Sequence, residues 1–180
     1  MSAQRGVRPR SDPNAISSGR RRRSPTRSGG VRPRSDPKVF VKSADARIER
    51  APWGRHWWLS EPALTGTKLL TLVRVTMRPG TGHRFHHHPE REEIIYIVDG
   101  VAEQWVGREK RLLKTGEIAF IPKRVVHAIF NSSKKPMSFL AILSPAKAKG
   151  PFLVDCYDEE PWRSLRPDPP KRPRRRTSKK

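Results

Sequence analysis

Three histidines and one glutamate have the residue types and the spacing of metal ligands. His86 and His88 form an H-x-H pair, Glu93 follows after four intervening residues, and His127 comes from a more distant segment. Neutral imidazoles with one carboxylate suit iron, manganese, nickel, cobalt, copper or zinc. Four protein ligands leave two positions of an octahedral ion open. The set therefore predicts one divalent metal ion with open coordination rather than a closed structural site.

The alternation of side chains along β-strands explains how these residues can meet. Side chains two positions apart point to the same face, so His86 and His88 point inward together while His87 points away. The acid must return on the next strand, where both Glu92 and Glu93 are candidates. The apolar face that continues from Glu93 favours it as the ligand.

The middle of the chain has the pattern of an all-β domain. Short segments rich in β-forming residues are separated by Pro and Gly turns, at 67–77, 93–98, 101–106, 117–121, 126–130 and 137–143. Regularly spaced short strands with such turn signals are typical of a β-sandwich or barrel. We therefore expect an all-β fold.

The positive charge is concentrated at the two ends of the chain. The formal net charge is +22; residues 1–38 carry 11 Lys/Arg against 2 Asp/Glu, and residues 161–180 carry 9 against 1. Low hydrophobicity with high net charge predicts disorder. We expect disordered basic tails at 1–38 and 161–180 around a barrel at 39–160. Such tails predict weak, non-specific contact with nucleic acid through phosphate neutralisation.

The rest of the composition excludes several protein classes. Cys156 is the only cysteine, so no intrachain disulfide can form, and a reducing cytoplasm is the expected setting. No apolar run approaches the length of a membrane-spanning helix, which is about 20 residues. We therefore expect a cytoplasmic protein that does not insert into a membrane.

The segment from residue 80 to 131 resembles the two motifs of the cupin superfamily, G-x5-H-x-H-x3,4-E-x6-G and G-x5-P-x-G-x2-H-x3-N. The matching positions are Gly80, His86, His88, Glu93, Gly100, Gly116, Pro122, His127 and Asn131. The one departure is Arg124, where the second motif has glycine. Arginine at this position implies either a turn without positive φ or a turn with a strained backbone.

This resemblance implies both a fold and a function for the four ligand candidates. The fold is a single antiparallel jelly-roll barrel, also called a double-stranded β-helix, with the metal held inside. The family includes small single-domain metal-binding members, and barrels of this type commonly pair. We therefore expect a homodimer, with residues 39–50 and the pair Trp57-Trp58 as candidate contacts.

Strand alternation predicts which side chains line the cavity of such a barrel. Met77 and Ile129 are expected to point inward, and Gln104 would be a hydrogen-bonding group near the metal. The opposite register of its strand would point Glu103 and Trp105 inward instead. In either case the cavity is expected to be apolar, with few ionisable groups beyond the ligands.

Three further histidines are assigned away from the metal. His83 and His87 are expected to face solvent or to lie in loops, although His87 could support a ligand from behind. His56 lies in the tryptophan-rich segment 53–58. For that segment, hydrophobic closure of the barrel or a dimer contact is favoured over a ligand role.

Three functions are compatible with such a site. In the first, oxygenase-like chemistry, a small organic acid or enol occupies the open positions together with O2 or water. The metal then acts as Lewis acid and Glu93 as proton acceptor. The second is a non-catalytic binding or sensor module for a small ligand. The third is isomerase or lyase chemistry on a sugar-type substrate, and resemblance in fold does not choose among the three.

Overall fold

The computed structural model describes residues 36–167 of the chain. The basic stretches at 1–35 and 168–180 lie outside the described residues, as do the predictions of disorder and nucleic-acid contact that concern them. Within the described part, no helix has the length and apolar character needed to cross a membrane.

Strands account for most of the regular structure in the described residues. They are β1 (Arg47–Ala51), β2 (Gly54–Ser60), β3 (Thr71–Met77), β4 (Gly82–His87), β5 (Glu92–Asp99), β6 (Val101–Val106), β7 (Glu109–Lys114), β8 (Ile118–Ile121), β9 (His127–Phe130), β10 (Met137–Ser144) and β11 (Val154–Asp155). The helical elements are a 3-10 turn (Ser43–Asp45) and two single-turn helices, α1 (Pro62–Thr65) and α2 (Trp162–Leu165).

These strands pair into two antiparallel sheets. The first sheet has the order β1-β2-β3-β10-β5-β8, and the second has the order β11-β4-β9-β6-β7. Strands that are far apart in sequence, such as β3 and β10, are neighbours in the sheet. The sheets are those of a double-stranded β-helix, so the prediction of an all-β jelly-roll barrel is confirmed.

Alternating side chains fill the space between the sheets. On β3 every second residue from Thr71 to Met77 is buried, while Arg74 between them is exposed. Met77 and Ile129, which are expected to point inward, are both buried, and so are Val73, Val75, Ile95 and Ile97. Each such side chain contributes about 1.5–3 kcal/mol through removal of apolar surface from water.

The C-terminal segment covers the outer face of the second sheet. Phe85 and Trp105 point away from the barrel interior and pack in a cluster with Tyr157. The Trp162 ring of α2 lies 5.4 Å from the Phe85 ring, centroid to centroid. Strand β6 is therefore buried on both faces, with Gln104 on the inner one. α2 also lies beyond the barrel boundary that was expected at residue 160.

The turn before β9 has an unusual backbone. Arg124 has a φ of 64°, so the strained alternative holds at the position where the cupin motif has glycine. The Arg124 amide donates to the His88 carbonyl at 3.0 Å. Its guanidinium donates to the Pro89 carbonyl and to Glu90, each at 3.3 Å. These contacts join the turn before His127 to the loop after His88.

We expect the strain at Arg124 to be measurable by comparing two variants. Arg124→Ala and Arg124→Gly lose the same side-chain contacts, but only glycine adopts positive φ without a steric penalty. The glycine variant should be more stable than the alanine variant by about 0.5–1 kcal/mol, after allowing for the greater freedom of glycine in the unfolded chain. Urea unfolding of the metal-free proteins measures the difference. Equal stabilities, or a more stable alanine variant, would contradict it.

Candidate metal centre

The four residues predicted as metal ligands lie together inside the barrel. One nitrogen or oxygen atom from each of His86, His88, Glu93 and His127 lies within 4.8 Å of the other three. All four side chains are buried, with 2–5% of their surface exposed. The Glu93 Oε2 atom lies 2.9 Å from His127 Nε2 and 3.4 Å from His88 Nε2. Such a group could hold one divalent metal ion.

Both sheets contribute to this cluster. His86 on β4 is the direct ladder partner of His127 on β9, and His88 follows immediately after β4. Glu93 comes from β5 in the facing sheet. Glu92, the alternative acid, is exposed. The cluster therefore lies between the sheets, and its geometry depends on their packing.

Backbone carbonyls fix the orientation of all three imidazoles. The Nδ1 atom of His86 donates to the Arg84 carbonyl at 2.7 Å, and that of His127 donates to the Val125 carbonyl at 3.0 Å. The Nδ1 atom of His88 donates to a carbonyl of the C-terminal segment, at 2.6 Å. With the proton held on Nδ1, each Nε2 keeps its lone pair available. A hydrogen bond of this kind is the usual support of a metal-binding histidine.

The charge states of the cluster also suit a metal. Burial lowers the pKa of His86 well below its usual value, so that its ring stays neutral. For Glu93, burial raises the pKa, but the contacts with His127 and His88 outweigh it, and the pKa is lowered overall. Metal binding needs deprotonated ligands. A neutral imidazole at His86 and an ionised carboxylate at Glu93 are therefore available to a metal ion.

A cavity of about 240 Å³ adjoins the four ligand candidates. Most of its remaining wall is apolar and includes Val73, Val75, Ile95, Ile129, Phe139 and Leu143. Ile129 thus lies in the lining of this cavity.

Two of the three predicted cavity residues lie away from this cavity. Met77 is packed at the end of β3 beside its ladder partner Met137, within the core and outside the lining. Gln104 points inward but lines a separate cavity of about 300 Å³. The reason is that β9 lies between β6 and β4 in the sheet, which separates Gln104 from the histidines of β4. Alternation predicts the face of a side chain but not its position along the barrel.

Two further histidines line the cavity next to the four ligand candidates, which we call the metal cavity. This differs from the expectation that the cavity has few ionisable groups beyond the ligands. His83 lies on β4 rather than in a loop, and its ring stacks on His86 with centroids 4.0 Å apart. A register shift between His83 and His86 breaks the strict alternation, so that residues three apart share a face. No feature of the sequence marks this bulge. His56 on β2 is also buried and lines the cavity.

Tryptophans of segment 53–58 close the barrel, which was one of the two favoured interpretations. Trp53 and Trp58 line the cavity, and Trp53 stacks on His83 with centroids 4.6 Å apart. Trp57 points to the other face of the sheet, where the guanidinium groups of Arg55 and Arg74 lie over its ring.

Replacing His86 should remove the metal. Because His86 supplies one of four ligand atoms, His86→Ala is expected to lose stoichiometric metal, whereas His87→Ala, one position away, should keep it. Elemental analysis of both purified variants after dialysis against metal-free buffer measures the difference. A His86→Ala protein with one metal per chain would refute the ligand assignment.

The metal-free protein should lose stability as the pH falls below about 6.5. Burial lowers the pKa of His83 from 6.5 to about 3, and that of His86 also falls. Between these values the unfolded chain binds more protons than the folded one. The contribution of these histidines to stability is therefore fully present above their pKa in the unfolded chain. It is lost as the pH falls towards their pKa in the folded protein. Urea midpoints of chelator-treated protein should decrease from about pH 7 to about pH 5. His83→Gln should show a shallower decrease, and a flat profile would contradict the assignment.

Comparison with known proteins places this geometry in context. Residues 73–143 match the family model of the cupin domain. Mannose-1-phosphate guanylyltransferase ManC of Salmonella typhimurium is 27% identical over 93 residues, which cover 52% of this chain and 18% of that protein. The chain thus spans less than a fifth of the length of this relative.

Solved structures share the fold at low sequence identity. KdgF from Halomonas sp. has a TM-score of 0.53 at 21% identity, covering 59% of this chain and 94% of that one. Oxalate decarboxylase of Bacillus subtilis, a protein with Mn(II) centres, has a TM-score of 0.55 at 20% identity, covering 63% of this chain and 30% of that one. The family match identifies residues 73–143 as a cupin domain, and the described residues share the double-stranded β-helix fold of these solved structures.

Proposed function

We propose that this chain holds one divalent transition metal ion through His86, His88, Glu93 and His127 and binds a small organic acid or enol at it. One observation carries the proposal. The three imidazoles donate from Nδ1 to backbone carbonyls, so their Nε2 atoms converge with a carboxylate oxygen beside a cavity. The ion is Fe, Mn, Ni, Co, Cu or Zn by the chemistry of the ligand set. The Mn(II) centres of the Bacillus subtilis oxalate decarboxylase support a divalent metal at this site.

The cavity supports a small ligand with an anionic end. Its volume of about 240 Å³ is below the roughly 300–1,000 Å³ of pockets for drug-sized molecules. Among residues 36–167, neither Lys nor Arg lines it, so the positive charge for an acid has to come from the metal. A bound metal supplies Lewis acidity, which favours the anionic form of a coordinated acid or enol.

The same absence of Lys and Arg disfavours a sugar-phosphate ligand. The guanylyltransferase relative acts on a phosphorylated sugar by its name. A phosphate group inside a protein needs cationic side chains or helix N-termini around it. The described lining offers neither. A carboxylate or enolate with a single point of attachment at the metal is the better match.

Protein side chains would contribute positioning, exclusion of water and proton transfer. Val73, Ile95 and Phe139 keep bulk water away from the ligand. Glu93 is the proposed catalytic group, because its carboxylate is ionised and buried next to the position of the ligand. It would accept a proton from the acid or enol, as in oxygenase-like chemistry.

Pairing into a homodimer and a cytoplasmic location also remain proposals. Near the start of the described residues, Val39, Phe40 and Ile48 are exposed apolar side chains. They support the dimer contact proposed for residues 39–50, since soluble proteins cover such groups when they cluster.

Calorimetry with defined metal content tests the proposed function. We expect small hydroxy acids to bind the metal-loaded protein and to bind neither the chelator-treated protein nor His86→Ala. Binding that is independent of metal would refute the proposal. Oxygen uptake with the bound acid would support oxygenase-like chemistry, and Glu93→Gln should reduce it. Binding without turnover for any metal would instead favour the binding or sensor module.

A further inference from the structure

His56 carries a buried polar atom for which the described residues offer no partner. Its side chain is 8% exposed, and its Nδ1 atom has no hydrogen-bond partner. The residue lies on β2 and lines the metal cavity. It also lies outside residues 73–143, which match the family model. Buried polar atoms in proteins are nearly always paired, so an unpaired one on a residue that lines a cavity points to a contact with a ligand.

A continuous wall of aromatic rings connects His56 to the metal ligands. The centroid of His56 lies 4.4 Å from that of Trp53, which in turn stacks on His83 at 4.6 Å. His83 stacks on the ligand candidate His86 at 4.0 Å. A ligand that is attached at the metal and lies along this wall has His56 at its far end.

The charges at the far end favour a neutral polar group. Glu49 is the ladder partner of His56 and also lines the cavity. That carboxylate accepts a hydrogen bond from Trp58 Nε1 at 3.1 Å. Arg47 lies 3.4 Å from the same oxygen but is half exposed and outside the lining. A second carboxylate on the ligand would therefore lie beside a like charge.

A hydroxyl group on the ligand fits next to His56 and Glu49 better than a carboxylate or a methyl group does. It both donates and accepts hydrogen bonds, so it can pair with the Nδ1 atom of His56 in either tautomer of the neutral ring. It adds no charge next to Glu49. A methyl group at the same place would leave the ring nitrogen unpaired.

We propose that His56 determines specificity in the metal cavity by hydrogen-bonding a hydroxyl at the end of the ligand remote from the metal. The site would then select small hydroxy acids or enols with a terminal hydroxyl over dicarboxylic acids of equal length. This inference rests on the proposed function, because the acid end of the ligand is assumed to lie at the metal.

Three four-carbon acids with the same metal-binding end test this inference. They are 2-hydroxybutyrate, 2,4-dihydroxybutyrate and malate, which end in a methyl, a hydroxymethyl and a carboxylate group. Their dissociation constants are measured by calorimetry on metal-loaded protein. The corresponding five-carbon acids are measured in parallel, so that the reach from the metal to His56 is sampled at two lengths.

At one of the two lengths, the acid with the terminal hydroxyl should bind at least about fivefold more tightly than the methyl acid, the effect of one hydrogen bond. The dicarboxylic acid should bind most weakly. In His56→Leu, binding of the hydroxyl acid should weaken by about five- to tenfold, while binding of the methyl acid stays within about twofold. His56→Asn has an amide near the position of Nδ1 and should retain part of the preference.

Controls separate the role of His56 from folding and from metal binding. His87→Leu makes the same chemical change outside the cavity lining and should leave all affinities unchanged. Metal stoichiometry of each variant confirms an intact centre. Three results would overturn the role of His56 and leave the proposed function in place. They are equal binding of the three acids at both lengths, tightest binding of the dicarboxylic acid, and a preference for the hydroxyl acid that survives in His56→Leu. If none of the acids binds metal-loaded protein, the proposed function fails and this inference fails with it.

Discussion

The hydrogen bonds from histidine Nδ1 atoms to backbone carbonyls are the interactions on which the candidate metal centre depends. An imidazole has two nitrogens, and only a fixed proton on one of them presents a lone pair from the other. For His86 and His127, the accepting carbonyl lies two residues earlier in the chain. Local backbone conformation, including the bulge in β4 and the turn at Arg124, thus sets the direction of these rings. The strained φ of Arg124 lies three residues before His127, in the same turn.

The third of these hydrogen bonds links the centre to a distant part of the chain. His88 donates to the carbonyl of Phe152, beyond the end of the segment that matches the family model. The Phe152 ring also contacts the His88 ring and lines the cavity. After it come β11, which pairs with β4, and α2, which packs on the outer face of the same sheet. The C-terminal segment therefore supports β4 from three directions, and the ligand geometry includes residues well outside the cupin motifs.

Positions of side chains could be predicted from the sequence where a strand alternates regularly, and could not be predicted where the alternation is broken. The fold class and the grouping of His86, His88 and Glu93 required only alternation from His86 to His88 and along β5, together with recognisable turns. His83 was assigned wrongly because a bulge changes the parity of β4, and a bulge depends on tertiary packing rather than on a local residue pattern. Gln104 has the expected face, but its distance from the metal depends on strand order, which the alternation of residues does not contain.

The cavity has two ends with different origins in the chain. The metal end is built from β4, β5 and β9, within the segment shared with other cupin domains, whereas the far end is built from β1 and β2, outside it. Metal chemistry depends on the ligand set, which many proteins of different activity can share. Discrimination among small acids depends on the groups that contact the remainder of the molecule, and an unpaired buried polar atom discriminates strongly because it rejects ligands that leave it unpaired. In the proposed site, the choice of ligand would therefore depend on residues such as His56 and Glu49, which the cupin motifs do not include.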